Sequence, residues 1–370
     1  MNRSGLVATH EANLDFVRAL AVLMVVGAHL GWFLGDIRCS FFEVSLLGRL
    51  GVVIFFVHSG IVNMLSIDRH VQKAGSYALF RSYMTRRCFR IYPLSIVVVS
   101  IVFFTKIPVA HISAWSATTG NHPQAEFLPS LLLVQNFVQF DQILEPLWSL
   151  PYEIQTYCLF PSIYLALRRF KSSSILIFAW AFLATVNHVL GPRLLKHGSI
   201  GHILILPDML YYFLGFLAGL YAYKEMQTSR RVLPFWALPA LLGFLCLVCT
   251  LSYDRSKFIF ISLCLGLALP HIQECELGAL NRICGWVAKY SFGIYLLHDP
   301  AIWLGFVRCA HLPVVVRATV FLLTTFGGSV ILYHAIEYPM IKLGNKVAAA
   351  IGKTKVPAMT QAAAACGVSA

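Results

Sequence analysis

Ten stretches of about 20 mainly apolar residues follow one another along the chain, beginning near Leu14, Val44, Ile91, Trp148, Ser174, Ile203, Val232, Lys257, Ser291 and Val314. About 20 helical residues cover the roughly 30 Å of a bilayer's hydrocarbon core. A backbone in that medium must satisfy its own hydrogen bonds, which leaves the helix as the natural form for each run. The sequence therefore predicts an all-α fold, a polytopic transmembrane bundle of about ten helices. Composition excludes an ordinary soluble domain: 58% of residues are hydrophobic and 12% charged, where a soluble domain carries roughly a quarter charged. Residues 1–13 hold no apolar core or cleavage site, so no removable signal peptide is expected. The domain reading is one transmembrane domain over 1–343 and a disordered cytoplasmic tail over 344–370, which is rich in Ala and Lys. Most of the ten cysteines lie in apolar runs, such as Cys158, Cys246, Cys249 and Cys264, and are read as packing residues. No metal-ligand spacing stands out, and no metal is expected.

Lys and Arg are retained on the cytoplasmic side of a membrane. The connection between the second and third runs carries Arg69, Lys73, Arg81, Arg86, Arg87 and Arg90 and is placed inside, which by alternation puts both termini in the cytoplasm. That bias and contact with anionic lipid account for the net charge of +13, so no nucleic-acid partner is implied. The connection from His111 to Leu147 falls outside. It contains Phe127 to Phe140, too short to cross and read as a re-entrant or interfacial segment.

Charges inside the spans carry the functional reading, because an ionisable group there is costly and turns toward a cavity or a partner. The first run contains Asp15, Arg18 and His29. Eleven residues bring a helix about 20° past three full turns, so Arg18 and His29 share one face about 16 Å apart. Asp15, one turn before Arg18, is placed to pair with it. The plainer alternative is an arginine snorkelling to the interface and a histidine bonded to a neighbouring carbonyl.

At these residues the chain resembles acyltransferase family 3, the integral membrane O-acyltransferases. LDFVRALAVLMVVGAH resembles the family's opening Leu-Asp-x-x-Arg-Ala with its Arg-x10-His signature. FFVHSG at 55–60, RRCFRIYPL at 86–94, WSLPYEIQTYCLFP at 148–161, YSFGIYLLHDP at 290–300 and IEYP at 336–339 resemble further family blocks in the same order. Two positions depart from the pattern, His58 where an aliphatic residue is usual and Phe292 where a tyrosine is.

The resemblance implies an acyl-CoA donor, usually acetyl-CoA, and a carbohydrate or glycolipid hydroxyl as acceptor, with surface or exported polysaccharide preferred. It implies residence in a bacterial inner membrane. Acyl transfer to a hydroxyl needs a base, and His29 is the candidate. Glu153, at the start of the fourth run, is read as the carboxylate that orients it, against the alternative of a helix-start carboxylate favoured by the dipole. Arg18 is placed to position the donor or polarise its carbonyl. Arg87 and Arg90, spaced i, i+3, present two guanidinium forks suited to phosphate, with Arg86 beside them. Trp148, Ser149 and Ser59 are the expected acceptor-binding residues; for Trp148 and Ser149 the alternative is an interfacial anchor and an N-cap. Ser59 is not read as a nucleophile, because HSGIV lacks a nucleophile elbow. His298, His334 and Glu337 are intramembrane polar groups without assigned partners. A secondary transporter is the rival function, and a non-enzymatic sensor or scaffold the weaker one.

Overall fold

The computed structural model describes residues 11–35, 38–39, 42–71, 76–107, 124–138, 143–170, 172–196, 205–250 and 255–353. The chain is built of helices: α1 (Glu11–Phe33), α2 (Ser45–Val71), α3 (Ser76–Thr105), α4 (Gln124–Leu132), α5 (Leu150–Leu167), α6 (Ser174–Lys196), α7 (Ile205–Glu225), α8 (Ala237–Thr250), α9 (Arg255–Ala268), α10 (Gly278–Ile302) and the long run α11 (Val314–Ile351). A two-residue antiparallel pairing, Arg38–Cys39 with Phe42–Glu43, joins α1 to α2. Among the described residues, four stretches are long and apolar enough to cross a membrane on their own: Ala12–Phe33, Leu46–His70, Ala78–Thr105 and Val314–Ile351. The crossing number near ten, and the side on which the termini lie, belong with the proposals below.

Helix α2 is the axis of the bundle. Its apolar stretch is 78% buried in the molecule, whereas that of α11 is 17% buried and lies at the periphery. Packing partners of α2 are α1, α7 and α9, while α10 lies along α1 and the end of α11 lies along α3. Small residues make the closest crossings possible, as is common between helices in lipid. A Cβ on Gly60 of α2 would stand 2.5 Å from the Phe216 carbonyl oxygen and 3.0 Å from the Gly219 Cα. Gly219 itself abuts the Val57 carbonyl, so α2 and α7 meet backbone to backbone. Gly51 plays the same part toward α1, with the Ala21 oxygen 2.5 Å from its added Cβ.

Three expectations are corrected. Helix α3 starts at Ser76 rather than near Ile91, so Arg81, Arg86, Arg87 and Arg90 belong to a helix and not to a loop. The cause is an i, i+4 stripe of Leu79, Tyr83, Arg87 and Ile91, all buried, in a segment free of Gly and Pro; a scan for hydrophobic runs does not see such a stripe. Helix α10 likewise begins at Gly278 rather than near Ser291, because Cys284, Val287, Ala288 and Ser291 bury a face of its first turns. The tail expected to be disordered from 344 instead continues as helix to Lys353. Ala348 is buried and Gly344 lies against Phe89 of α3, so the run gains a packed face; positions 354–370 lie outside the described residues. Much of the 111–147 connection also lies outside them. Its described part contains α4 and one turn, Gln135–Val138, with Leu128, Leu132, Phe137 and Val138 exposed and Phe127 stacked on Phe103 at 4.4 Å. Both pieces are too short to cross, in keeping with a segment that lies against the bundle.

Away from the interior, Asn13 ties two chain segments together. Its Nδ2 donates to the Gln273 carbonyl at 2.9 Å, and its Oδ1 accepts from the Cys275 backbone N–H at 3.1 Å. The Asn13 backbone N–H donates to Glu274, which also pairs with Arg231 at 2.8 Å.

Candidate active site

The interior polar groups come from six helices and lie close together. On α2, Ser59 Oγ donates to Glu153 Oε1 at 3.1 Å, and Tyr157, one turn along α5 from Glu153, donates to the same oxygen. Glu153 is 5% exposed, so its carboxylate depends on these donors and on Arg18 and Arg87, both within Coulombic reach. Asn63, one turn beyond Ser59, donates to the Ser59 carbonyl at 2.7 Å and accepts from Tyr83 Oη at 2.6 Å. The Arg87 guanidinium lies over the rings of Tyr83 and Tyr157, 5.4 and 5.5 Å from their centroids, a cation–π seating for the charge.

Arg18 points into the bundle. Its Nε donates to Ser291 Oγ at 2.6 Å, and its guanidinium sits 5.8 Å from the centre of the Phe55 ring. Asp15 lies on the side of α10, its Oδ2 3.5 Å from a Cβ placed on Gly285. Glu337 completes the charged set. It comes from a π turn in α11, Tyr333–Glu337, whose extra residue rotates the side chain inward, and such turns recur at functional sites. Glu337 is 2% exposed, its Oε2 has no hydrogen-bond partner among the described residues, and Arg90 and Arg18 act on it electrostatically.

Two cavities lie in this interior. One, of about 460 Å³, is lined by Arg18, His58, Ser59, Asn63, Arg87, Arg90 and Tyr157. The other, of about 440 Å³, has mainly apolar walls, including Ala21, Val22, Val25, Gly51 and Val52, with Ser149, Ser291 and Tyr295 as polar points. Phe55, Glu153 and Phe292 line both, so the two are neighbours that share these wall residues.

His29 Nδ1 lies 2.9 Å from the Val25 carbonyl oxygen and 3.3 Å from His298 Nε2. His29 lines neither cavity, but Val25, one turn earlier, lines the apolar one. The residue facing the imidazole is thus His298, not Glu153 as the sequence reading expected. Glu153 is turned toward Ser59 and Tyr157 because the aromatic hydroxyl on its own helix face and the α2 serine supply the donors a buried carboxylate needs. Ser149 stands at the first position before α5 without capping it. Its hydroxyl instead shares a 2.7 Å hydrogen bond with Tyr295 Oη, which donates to the Pro146 carbonyl at 2.8 Å. Trp148 packs on Tyr212 at 5.3 Å. Arg86 is not among the residues lining either cavity; its Nε and Nη2 are buried and have no hydrogen-bond partner among the described residues. His334 Nε2 meets Tyr290 Oη at 3.2 Å, away from both cavities.

Sequence reasoning missed Asn63, Tyr157 and Ser291, and gave His58 only as a departure from the family pattern. Two of these were within reach of a periodicity argument, since Asn63 follows Ser59 and Tyr157 follows Glu153 by four residues, one helical turn. No such signal existed for Ser291, whose partner Arg18 lies on another helix. Among the described residues no group of His, Cys, Asp and Glu side chains is arranged to hold a metal ion.

A helical bundle with membrane-length apolar helices that encloses arginines, carboxylates and imidazoles around two neighbouring cavities defines an integral membrane protein with a polar interior. The family model described as an acyltransferase domain, that of acyltransferase family 3, matches residues 11–334; the chain belongs to this family and is an acyltransferase. No curated protein and no solved structure matches it.

Proposed function

We propose that this enzyme moves an acyl group, acetyl first among the choices, from cytoplasmic acyl-CoA to a hydroxyl of a carbohydrate acceptor such as a surface or exported polysaccharide. In this reading the chain crosses a bacterial inner membrane about ten times with both termini in the cytoplasm. The observation that carries it is the pair of neighbouring cavities that share Glu153 as a wall residue, one basic and one apolar. A CoA donor has a polyanionic end and a neutral thioester end, and the two chambers differ in the same way. Arg87 and Arg90 would hold the phosphates, with Arg86 supporting them from outside the chamber. Arg18, at the side of Phe55 and about 16 Å along α1 from His29, would position the donor on its way to that imidazole. Ser59, Ser149 and Trp148 would contact the acceptor.

The chemistry balances on one imidazole. His29 Nε2 takes the proton from the acceptor hydroxyl as the oxygen bonds to the thioester carbon. The tetrahedral intermediate then collapses, the carbon–sulfur bond breaks, and the thiolate receives that proton from His29, leaving an ester and free CoA thiol. Glu153 keeps the Arg18 and Arg87 charges compensated in the chamber.

The test is transfer from radiolabelled acetyl-CoA to surface glycan in membranes holding wild-type protein or His29→Ala. Loss of a general base is expected to lower kcat by about 10²–10⁴-fold, with donor KM little changed. Label transfer by His29→Ala at the wild-type rate would overturn the assignment. Equal acetyl content of surface glycans with and without the protein would overturn the acceptor class.

A further inference from the structure

Helices α1 and α10 bring His29 and His298 face to face, with ring centroids 4.9 Å apart. Each Nδ1 also meets a main-chain oxygen, His29 that of Val25 at 2.9 Å and His298 that of Tyr295 at 2.8 Å. A carbonyl oxygen can only accept, so in both rings the proton sits on Nδ1. A neutral imidazole then carries a lone pair on its other nitrogen. His298 Nε2, 3.3 Å from His29 Nδ1, is therefore an acceptor for the His29 N–H, which it shares with the Val25 oxygen. The opposite assignment fails, because a proton on His298 Nε2 would point at the N–H of His29. His298 is 0% exposed, so water cannot take over its place. What remains is His29 Nε2, which has no hydrogen-bond partner among the described residues and is directed away from both partners of Nδ1.

We propose that His298 is a positioning residue for the transfer reaction. It is a neutral acceptor that fixes His29 in the Nδ1–H tautomer, presents Nε2 to the incoming hydroxyl, and receives the Nδ1–H bond of the imidazolium once the proton has been taken. The inference rests on the reading of His29 as the base. His298 gains and loses no proton: the hydroxyl proton goes to His29 Nε2 and from there to the departing thiolate, and the oxygen–carbon and carbon–sulfur bonds exchange as described above. The post is the one a carboxylate holds in Ser-His-Asp enzymes. A second imidazole fills it here without placing a further full charge in an apolar interior, where an ion is costly.

The test compares three substitutions in the full-length protein in membranes, reading kcat and donor KM with labelled acetyl-CoA. His298→Gln carries an amide oxygen to about the place of Nε2, His298→Asn carries it only to the place of Nδ1, and His298→Leu has no acceptor. His298→Gln is expected to keep kcat within about tenfold of wild type, while His298→Asn and His298→Leu lose about 10²-fold, all with donor KM within about twofold. The Gln-to-Asn contrast stands even where the leucine variant does not fold. Equal losses in Gln and Asn, or a change in KM with kcat intact, would assign His298 to packing and end the proposal. If His29→Ala still transfers label, the base reading itself is at fault; if His29→Ala is inactive and all three His298 variants are normal, only the positioning role fails.

Discussion

Replacing Gly60 by alanine tests whether the α2–α7 crossing fixes the Ser59–Glu153 contact. The added Cβ would lie 2.5 Å from the Phe216 oxygen, whereas ordinary contact begins at 3.4 Å. The helices must part by about 1 Å, since the obstacle is backbone and cannot rotate aside. Overpacking of this kind costs about 1–3 kcal/mol. Ser59 precedes Gly60 and moves with it, so its 3.1 Å bond to Glu153 stretches beyond hydrogen-bonding range, adding about 1 kcal/mol. The summed loss of about 2–4 kcal/mol should lower the unfolding midpoint in detergent by several degrees. A displacement of about 1 Å at a catalytic chamber can cost about 10²-fold in rate, so label transfer per folded molecule should fall by about that factor. Gly243→Ala is the control: nothing lies within 4 Å of its added Cβ, and alanine in a helix is favoured by about 1 kcal/mol. A Gly60→Ala enzyme with unchanged midpoint and unchanged rate would refute the reasoning, because a tight crossing cannot absorb the methyl group silently.

Arg87→Ala and Arg90→Ala should each raise the KM for acyl-CoA by about tenfold or more while kcat changes less, and lysine should restore part of the loss; steady-state kinetics over a range of donor concentrations measures this. Glu153→Gln keeps the Ser59 and Tyr157 contacts in outline but removes the negative charge between Arg18 and Arg87, and should lower kcat by about tenfold or more; a fully active Glu153→Gln enzyme would show that the charge is dispensable. Asn13→Ala strips a donor from the Gln273 carbonyl and an acceptor from the buried Cys275 N–H, and should cost about 1–3 kcal/mol of stability with transfer per folded molecule unaltered, as judged by thermal unfolding beside the activity assay.

How much of this was legible in the sequence depends on the kind of signal. Hydropathy located the helices, because burial in lipid or against other helices demands long apolar runs whatever the tertiary arrangement. It misplaced the starts of α3 and α10, where a buried stripe rather than a continuous run holds the helix. Helical periodicity placed Arg18 and His29 on one face, and both do turn toward the interior, onto Ser291 and toward His298. The same arithmetic has nothing to say about contacts between helices. Glu153 and His29 were paired on matching depth along their helices, but depth does not fix azimuth, and α10 rather than α5 lies beside His29. Glu337 was noticed as a buried charge; its direction depends on the π turn at Tyr333–Glu337, a local change of register that no spacing rule anticipates.

The early start of α3 has a consequence for ligand capture. Thirty residues at 1.5 Å each make a rod of about 45 Å, longer than the roughly 30 Å hydrocarbon layer by about half. Arg87 and Arg90 are therefore mounted on a stiff strut instead of a flexible connector, and Arg87 is clamped further by two aromatic faces. Ordering a loop around an anion would cost about 1–2 kcal/mol of backbone entropy per residue; a strut has already surrendered that freedom during folding. The grip on a polyanion comes preorganised, and its tightness is set by charge and salt rather than by how readily a segment can be brought to rest.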